Sequence, residues 1–185
     1  MPRWLRRDAA FAVAELLSRL DQHWCSLLER GGDLVVTAGM LGTDPQEHAL
    51  ARIPGRMTFS LDIRSQCPAT LEAFHAIFAE ECAELSERRG VRFETGRRLH
   101  AAPAQMDAGL VRRLRAGLRG MGQPDAPMPS GAGHDAAVFA GAGIPSGMIF
   151  VRNAHGSHNP REAMAMDDFL IGATLLRQTL RELAA

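Results

Sequence analysis

Residues 56–65, RMTFSLDIRS, alternate without interruption: Met57, Phe59, Leu61 and Ile63 lie on one side, and Arg56, Thr58, Ser60, Asp62 and Arg64 on the other. Period-two alternation of this kind is the signature of a strand with one face on a core and one in water. Upstream, DLVVTAGML (33–41) is rich in β-branched residues and reads as a second strand. A polar loop, GTDPQEHALARIPG (42–55), joins the two. Before them, Asp8 is placed to cap a helix whose stripe runs Val13, Leu17, Leu20, Trp24 and Leu28, stopped by Gly31-Gly32. After them, Pro68 and Thr70 open a helix with Leu71, Phe74, Phe78, Cys82 and Leu85 on one face. Arg88 and Arg89 stand in its last turn, favourable against the helix dipole, and Gly90 ends it. VRFETGRRL (91–99) reads as a further strand. Helix, strand, strand, helix, strand fits a small antiparallel sheet with two helices on one face.

Beyond His100 the character changes. A helix with Leu110, Leu114, Leu118 and Met121 inward leads to the Gly/Pro-rich loop QPDAPMPSGAGHDA (123–136). A short helix, a buried strand GMIFV (147–151) and the loop RNAHGSHNPREAM (152–164) follow. A last helix from near Asp167 is expected to bury Phe169, Ala173, Leu176, Leu180 and Leu183. Helices alternating with an apolar strand suggest part of an α/β layer, so the fold class is α/β: an α+β unit followed by a partial α/β layer. The linker falls near AAPAQ (101–105).

Composition excludes several function classes. Lys+Arg and Asp+Glu are 21 each among 185 residues, so no net field draws the chain to nucleic acid or an anionic membrane. Tyrosine is absent and aromatics make up 5%, too few for base-stacking platforms. Cys25, Cys67 and Cys82 form no C-x-x-C pair, which fits a reducing cytoplasm. Asp8 and Glu15 break the apolar N-terminal stretch, so no signal peptide is expected, and no apolar run approaches the ~20 residues of a membrane span.

Three positions stand out chemically. His134 lies in SGAGHDA, where Gly131 and Gly133 allow a sharp turn; the segment is either a Gly-rich turn with Asp135 capping a helix, or a helix start facing an anion. His158 lies in GSHNPRE on the loop leaving GMIFV, a place where α/β proteins hold ligands. One histidine does not hold a catalytic metal, which takes three protein ligands or more, and nothing shows His155 sharing one. Arg64 stands on the polar face of the 56–65 strand beside Asp62, either as a surface ion pair or as a planar fork for a carboxylate. His48 lies in the neighbouring loop, while His23, His75 and His100 read as structural or surface residues.

Taken together, DIRS after the IPG turn (53–55), PSGAGHDA (129–136), PSGMIFV (145–151) and GSHNPREA (156–163) resemble the N-carbamoyl-amino-acid hydrolases, β-ureidopropionases and allantoate amidohydrolases. These are the ureido-specific branch of the aminoacylase-like di-metal hydrolases. RRDAAFAVAELL (6–17) is similar to the point where that family enters its lid domain.

The resemblance implies a lid and dimerisation domain over 1–100 and the returning C-terminal segment of a catalytic domain over 101–185. It implies cleavage of a C–N bond in an N-carbamoyl amino acid or related ureido acid by a metal-bridged water. Two divalent metals per site are implied, zinc or alternatively manganese or nickel. His158 matches the last metal ligand, His134 the histidine that contacts substrate and polarises the scissile carbonyl, and Arg64 the lid arginine that clamps the substrate carboxylate across a homodimer. Gly131 and Gly133 belong to the substrate loop; the family often carries an Asn where this chain has Ala51, so either His48 replaces its hydrogen bond or the substrate preference differs. The family's other metal ligands and its Glu general base have no counterpart in these residues. The chain alone is therefore expected to bind metal poorly and not to turn over substrate, as a fragment or shortened product. The alternative is a non-catalytic dimerisation module derived from the lid.

Overall fold

The computed structural model describes residues 1–47, 49–99 and 101–185. They form two compact units, Met1–Pro103 and Ala104–Ala185.

The first unit begins with helix α1 (Ala9–Glu29), capped by Asp8, whose carboxylate accepts from the backbone N–H groups of Ala10 and Phe11. That satisfies two of the donors a helix start leaves unpaired. Strands β1 (Val35–Thr37), β2 (Leu41–Thr43), β3 (Met57–Phe59) and β4 (Asp62–Arg64) follow, then helix α2 (Pro68–Arg89). Proline opens α2, where its missing N–H costs nothing, and Gly90 closes it at φ 63°, a left-handed conformation that favours glycine.

The two expected strands are each broken in the middle, for one reason. β1 pairs antiparallel with β4, Val35 opposite Arg64 and Thr37 opposite Asp62. β2 pairs with β3, Leu41 opposite Phe59 and Thr43 opposite Met57. Residues 38, 39 and 40 thus stand opposite residues 60 and 61, a one-residue bulge that shifts the register. Ser60 closes it, its N–H donating to the Met40 carbonyl and its hydroxyl accepting from the Met40 N–H, both at 3.0 Å. The alternation along 56–65 survives the bulge, so Phe59, Leu61 and Ile63 all reach the core.

That core is Leu16, Leu20, Leu34, Phe74, Cys82 and Leu85, flanked by Trp24, Leu27, Val36, Phe93 and the ribbon residues. Trp24 Nε1 donates to the Leu34 carbonyl at 2.7 Å, fixing α1 to the entry of β1. Two details of the sequence reading change. Leu28 is exposed, because the buried stripe of α1 runs Ala12, Val13, Leu16 and Leu20. Residues 91–99 form no strand: Val91 and Phe93 are half-buried and Arg92 and Glu94 exposed, but no ladder forms. Alternation reports one buried face, not a pairing partner.

The seam between α1 and α2 is ionic at its rim. Glu15 binds Arg88 and Arg89, and Arg19 reaches Glu81 at 2.6 Å and Glu84 at 3.0 Å. His23 Nε2 lies 2.9 Å from Glu81.

The second unit contains α3 (Ala108–Gly120), α4 (Asp135–Gly141) and α5 (Met166–Ala184). Asp107 caps α3, accepting from the Leu110 N–H at 2.7 Å. α3 packs on α5 closely enough that a Cβ added at Gly117 would lie 2.6 Å from Leu175 Cδ1. GMIFV is not a strand here; residues 147–149 are half-buried, with the Gly147 Cβ position 3.4 Å from Leu110 Cβ of α3. The expected inward face of α5 is also corrected. Leu175 and Thr179 are buried, whereas Phe169, Ala173, Leu176, Leu180 and Leu183 are exposed. α5 is apolar on more than one face, and α3 with residues 149–151 covers only the Gly172, Leu175 and Thr179 side. The mixed α/β class holds, with five α-helices and small antiparallel sheets among the described residues.

Candidate functional site

Arg64 ends β4 on the exposed face of the ribbon. Its guanidinium grips Asp62, two residues back on the same face, through Nε at 2.9 Å and Nη2 at 2.5 Å. The Asp62 carboxylate holds the Arg64 guanidinium protonated more firmly than usual. The pair runs along one strand, because residues i and i+2 share a face. Just beyond, Asp33 accepts from the Ser65 hydroxyl at 3.0 Å and the Gln66 N–H at 2.7 Å, tying the end of β4 to the start of β1.

In the second unit His134 is the N-cap residue of α4, half-buried, and its side chain makes no capping bond. Its ring meets Phe150 edge-on, centroids 6.0 Å apart at 66°. Asp135 is therefore the first helical residue rather than the cap. Gly131 adopts φ 62°, a turn for which glycine is suited, and Ser130 braces it by bonding both the N–H and the carbonyl of Ala132. Gly133 has open space where a Cβ would stand.

His158 is exposed and sits at φ 61°, with His155 at φ 66° and Gly156 at φ 73° in the same loop. Left-handed backbone is uncommon for residues with a Cβ, though histidine is among those enriched there. The loop is closed by an Ala154–Ala163 bridge and by a side-chain network that sequence reasoning missed. Glu162 accepts from the His158 N–H and from Asn153 Nδ2, each at 2.9 Å. Asn159 Nδ2 donates to the carbonyls of His155 at 2.8 Å and Gly156 at 3.0 Å. Asn153, together with the His158 N–H, holds the Glu162 carboxyl below its usual range. The only signal in the sequence was the Asn/Ser/Gly-rich composition of 153–159, which marks a loop and not which side chain closes it.

His48 lies outside the described residues, as does His100. Arg64 belongs to the first unit, and His134 and His158 to the second. Among the described residues no group of three or more His, Cys, Asp or Glu side chains could hold a metal ion. The donors present do not by themselves fit a catalytic divalent cation, which needs at least three protein ligands. Among the described residues no helix is long and apolar enough to cross a membrane.

Comparison with known proteins bears on these loops. The family model described as peptidase family M20/M25/M40 matches residues 10–182. The chain is 31% identical over 184 residues to the N-carbamoyl-L-amino acid amidohydrolase of Geobacillus stearothermophilus, covering 99% of this chain and 43% of that protein. It is 30% identical over 185 residues to the allantoate amidohydrolase of Escherichia coli K12, with the same two coverages of 99% and 43%. Among solved structures, an amidase of the hydantoinase/carbamoylase family from Burkholderia multivorans superimposes with a TM-score of 0.87 at 27% identity, over 97% of this chain and 42% of that one. The chain thus spans well under half the length of the relatives it matches. With the match running from the first turn of α1 into the last turn of α5, the chain belongs to peptidase family M20/M25/M40.

Proposed function

We propose that these residues are the lid (1–100) and the returning catalytic segment (101–185) of an amidohydrolase that cleaves the C–N bond of N-carbamoyl amino acids or related ureido acids. The observation that carries this reading is the family match over residues 10–182, which takes in Arg64, His134 and His158, beside 31% and 30% identity to relatives named for N-carbamoyl amino acid and allantoate hydrolysis.

In this reading Arg64 binds the substrate carboxylate through two parallel N–H···O bonds, displacing or sharing the fork with Asp62. His134 contacts the substrate and polarises the ureido carbonyl, donating a hydrogen bond to its oxygen as negative charge builds there, with the Gly131–Gly133 turn giving the substrate access to it. His48 contributes a further polar contact. His158 is one donor to a two-metal centre of zinc, or alternatively manganese or nickel, whose chemistry is to supply a nucleophilic water near neutral pH. One donor does not hold such an ion, so the remaining donors come from outside residues 1–185. Arg64 acts across a homodimer formed through the lid; the two-stranded ribbons leave strand edges suited to pairing with a second copy.

The test is an assay of the purified 185-residue chain with N-carbamoyl-L-amino acids and allantoate, with zinc or manganese added. No turnover is expected, together with weak binding of the carbamoyl amino acid that Arg64→Ala abolishes. Turnover by the chain alone would sink the division of donors. Binding unaffected by Arg64→Ala would sink the role of Arg64. Mass measurement in solution separates the second reading, a dimerisation module without catalysis: a monomer at high concentration removes it, along with the lid homodimer.

A further inference from the structure

The loop 153–163 holds left-handed backbone at two histidines, one of them the proposed metal donor His158. His158 stands at φ 61° and His155 at φ 66°, a region sparsely populated by residues with a Cβ. Such a conformation persists where its surroundings over-determine it. The surroundings here are specific. The His158 N–H donates to Glu162 Oε2 and Asn153 Nδ2 donates to Glu162 Oε1, each at 2.9 Å, while Asn153 Nδ2 also donates to Ser157 Oγ at 2.9 Å. The Asn153 amide and the His158 N–H both face Glu162 as donors, and the Ser157 hydroxyl bonds the same carboxylate. A carboxylate, which only accepts, satisfies both; a glutamine would turn an NH2 group against one of them. From the far side, Asn159 ties down the carbonyls of His155 and Gly156. The Ala154–Ala163 bridge closes the base, with N···O distances of 2.7 and 3.3 Å.

We propose that Glu162, oriented by Asn153, is the positioning residue of His158: its carboxylate fixes the left-handed backbone there and so sets the direction in which the imidazole leaves the loop. The functional weight of this rests on the reading of His158 as a donor, but the positioning itself does not. Since the loop is exposed, its order comes from these side-chain bonds and not from packing, and changing their polarity changes it.

The experiment is NMR on the full 185-residue chain carrying Glu162→Gln, Asn153→Asp, or both. The readouts are amide exchange at His158 and the Cα and Cβ shifts that report positive φ. Glu162→Gln is expected to speed His158 exchange roughly tenfold and move its shifts out of the left-handed range, with the thermal melt of the chain little changed. Asn153→Asp, which sets two carboxylates against each other, is expected to do the same. The double substitution keeps the charge and reverses one bond: the glutamine NH2 donates to the aspartate, while its carbonyl accepts from the His158 N–H. It is expected to restore exchange and shifts, a rescue that a generic loss of loop stability would not produce. Unchanged His158 signals in Glu162→Gln, or a double variant no better than that single one, would overturn the proposal. If Glu162→Gln alone fails to fold, the double variant decides, a folded and restored chain supporting the proposal and an unfolded one overturning it. Carbamoyl amino acid binding separates the two readings: binding unaffected by Arg64→Ala would sink the substrate reading and leave the positioning standing, because the His158 signals are read without ligand or metal.

Discussion

Burial and hydrogen bonding sort the three cysteines. Cys82 lies in the core between α1 and α2, where burial, with Glu81 beside it, pushes its thiol up to about 11. Cys25 and Cys67 are exposed, and all three are free thiols. A bond from the Thr70 side chain, with the backbone of Thr70 and Ala69, lowers the Cys67 thiol. Since the thiolate is the reactive form, labelling with iodoacetamide near neutral pH is expected to modify Cys67 first, then Cys25, and Cys82 only after unfolding; mass spectrometry of the quenched digest gives the order. Arg64 offers a second test at this scale. An exposed ion pair contributes ~0.2–1 kcal/mol, so Asp62→Asn is expected to tighten carbamoyl amino acid binding by about 1.4- to 5-fold, measured by NMR titration. Weaker binding would show that Asp62 orients the fork more than it competes for it. Arg64, His134 and His158 stand out in the sequence as candidates because side-chain chemistry and loop composition are local, while their roles come from the family resemblance alone. Glu162 does not stand out, because its role depends on the chain folding back over Asn153.

Elements were legible where one face dominates. α2, with Pro68 at its start and Gly90 at its end, runs where the spacing placed it. The strands were legible as hydrophobic pattern but not as pairing, since the bulge at 38–40 depends on which residues meet across the ribbon. α5 was misread for a related reason: its sequence offers several apolar faces, and only the position of α3 selects Leu175 and Thr179 for burial. The α3–α5 crossing can be tested directly. Alanine in a helix interior ordinarily gains up to ~1 kcal/mol over glycine. At Gly117 the added Cβ would stand 2.6 Å from Leu175 Cδ1, and overpacking costs ~1–3 kcal/mol. Gly117→Ala is therefore expected to destabilise the chain on net in urea unfolding. Leu175→Ala alone is expected to cost ~2–5 kcal/mol, and the double variant less than the sum, since each change relieves the other.

For the molecule as a whole, the charges cancel in number while their placement is uneven. Bonds from Arg88 and then Arg89 outweigh partial burial and hold the Glu15 carboxyl below its usual value of 4.5. Burial works to raise the Glu81 carboxyl, but Arg19 and His23 overcome it and leave that group low as well. A carboxyl lowered on folding adds stability that is present above its unfolded value and lost as pH falls through the folded one. The thermal melting temperature is therefore expected to hold near neutral pH and to fall below about pH 4.5. The fall should be smaller in Glu15→Gln, which starts less stable at pH 7; an equal fall in both would remove the α1–α2 rim from the account. What the sequence determined by itself were the patterns that depend on neighbours along the chain: the mixed helix and strand content, the Asp8 cap, the buried face of α2, and the loops whose motifs mark the family. The tertiary structure decided the register shift, the covered face of α5, the absence of a ladder at 91–99 and 147–151, and the carboxylate that closes the His158 loop. Each of these turns on which distant residues meet, and a hydrophobic or polar residue states that it wants a partner without stating which one.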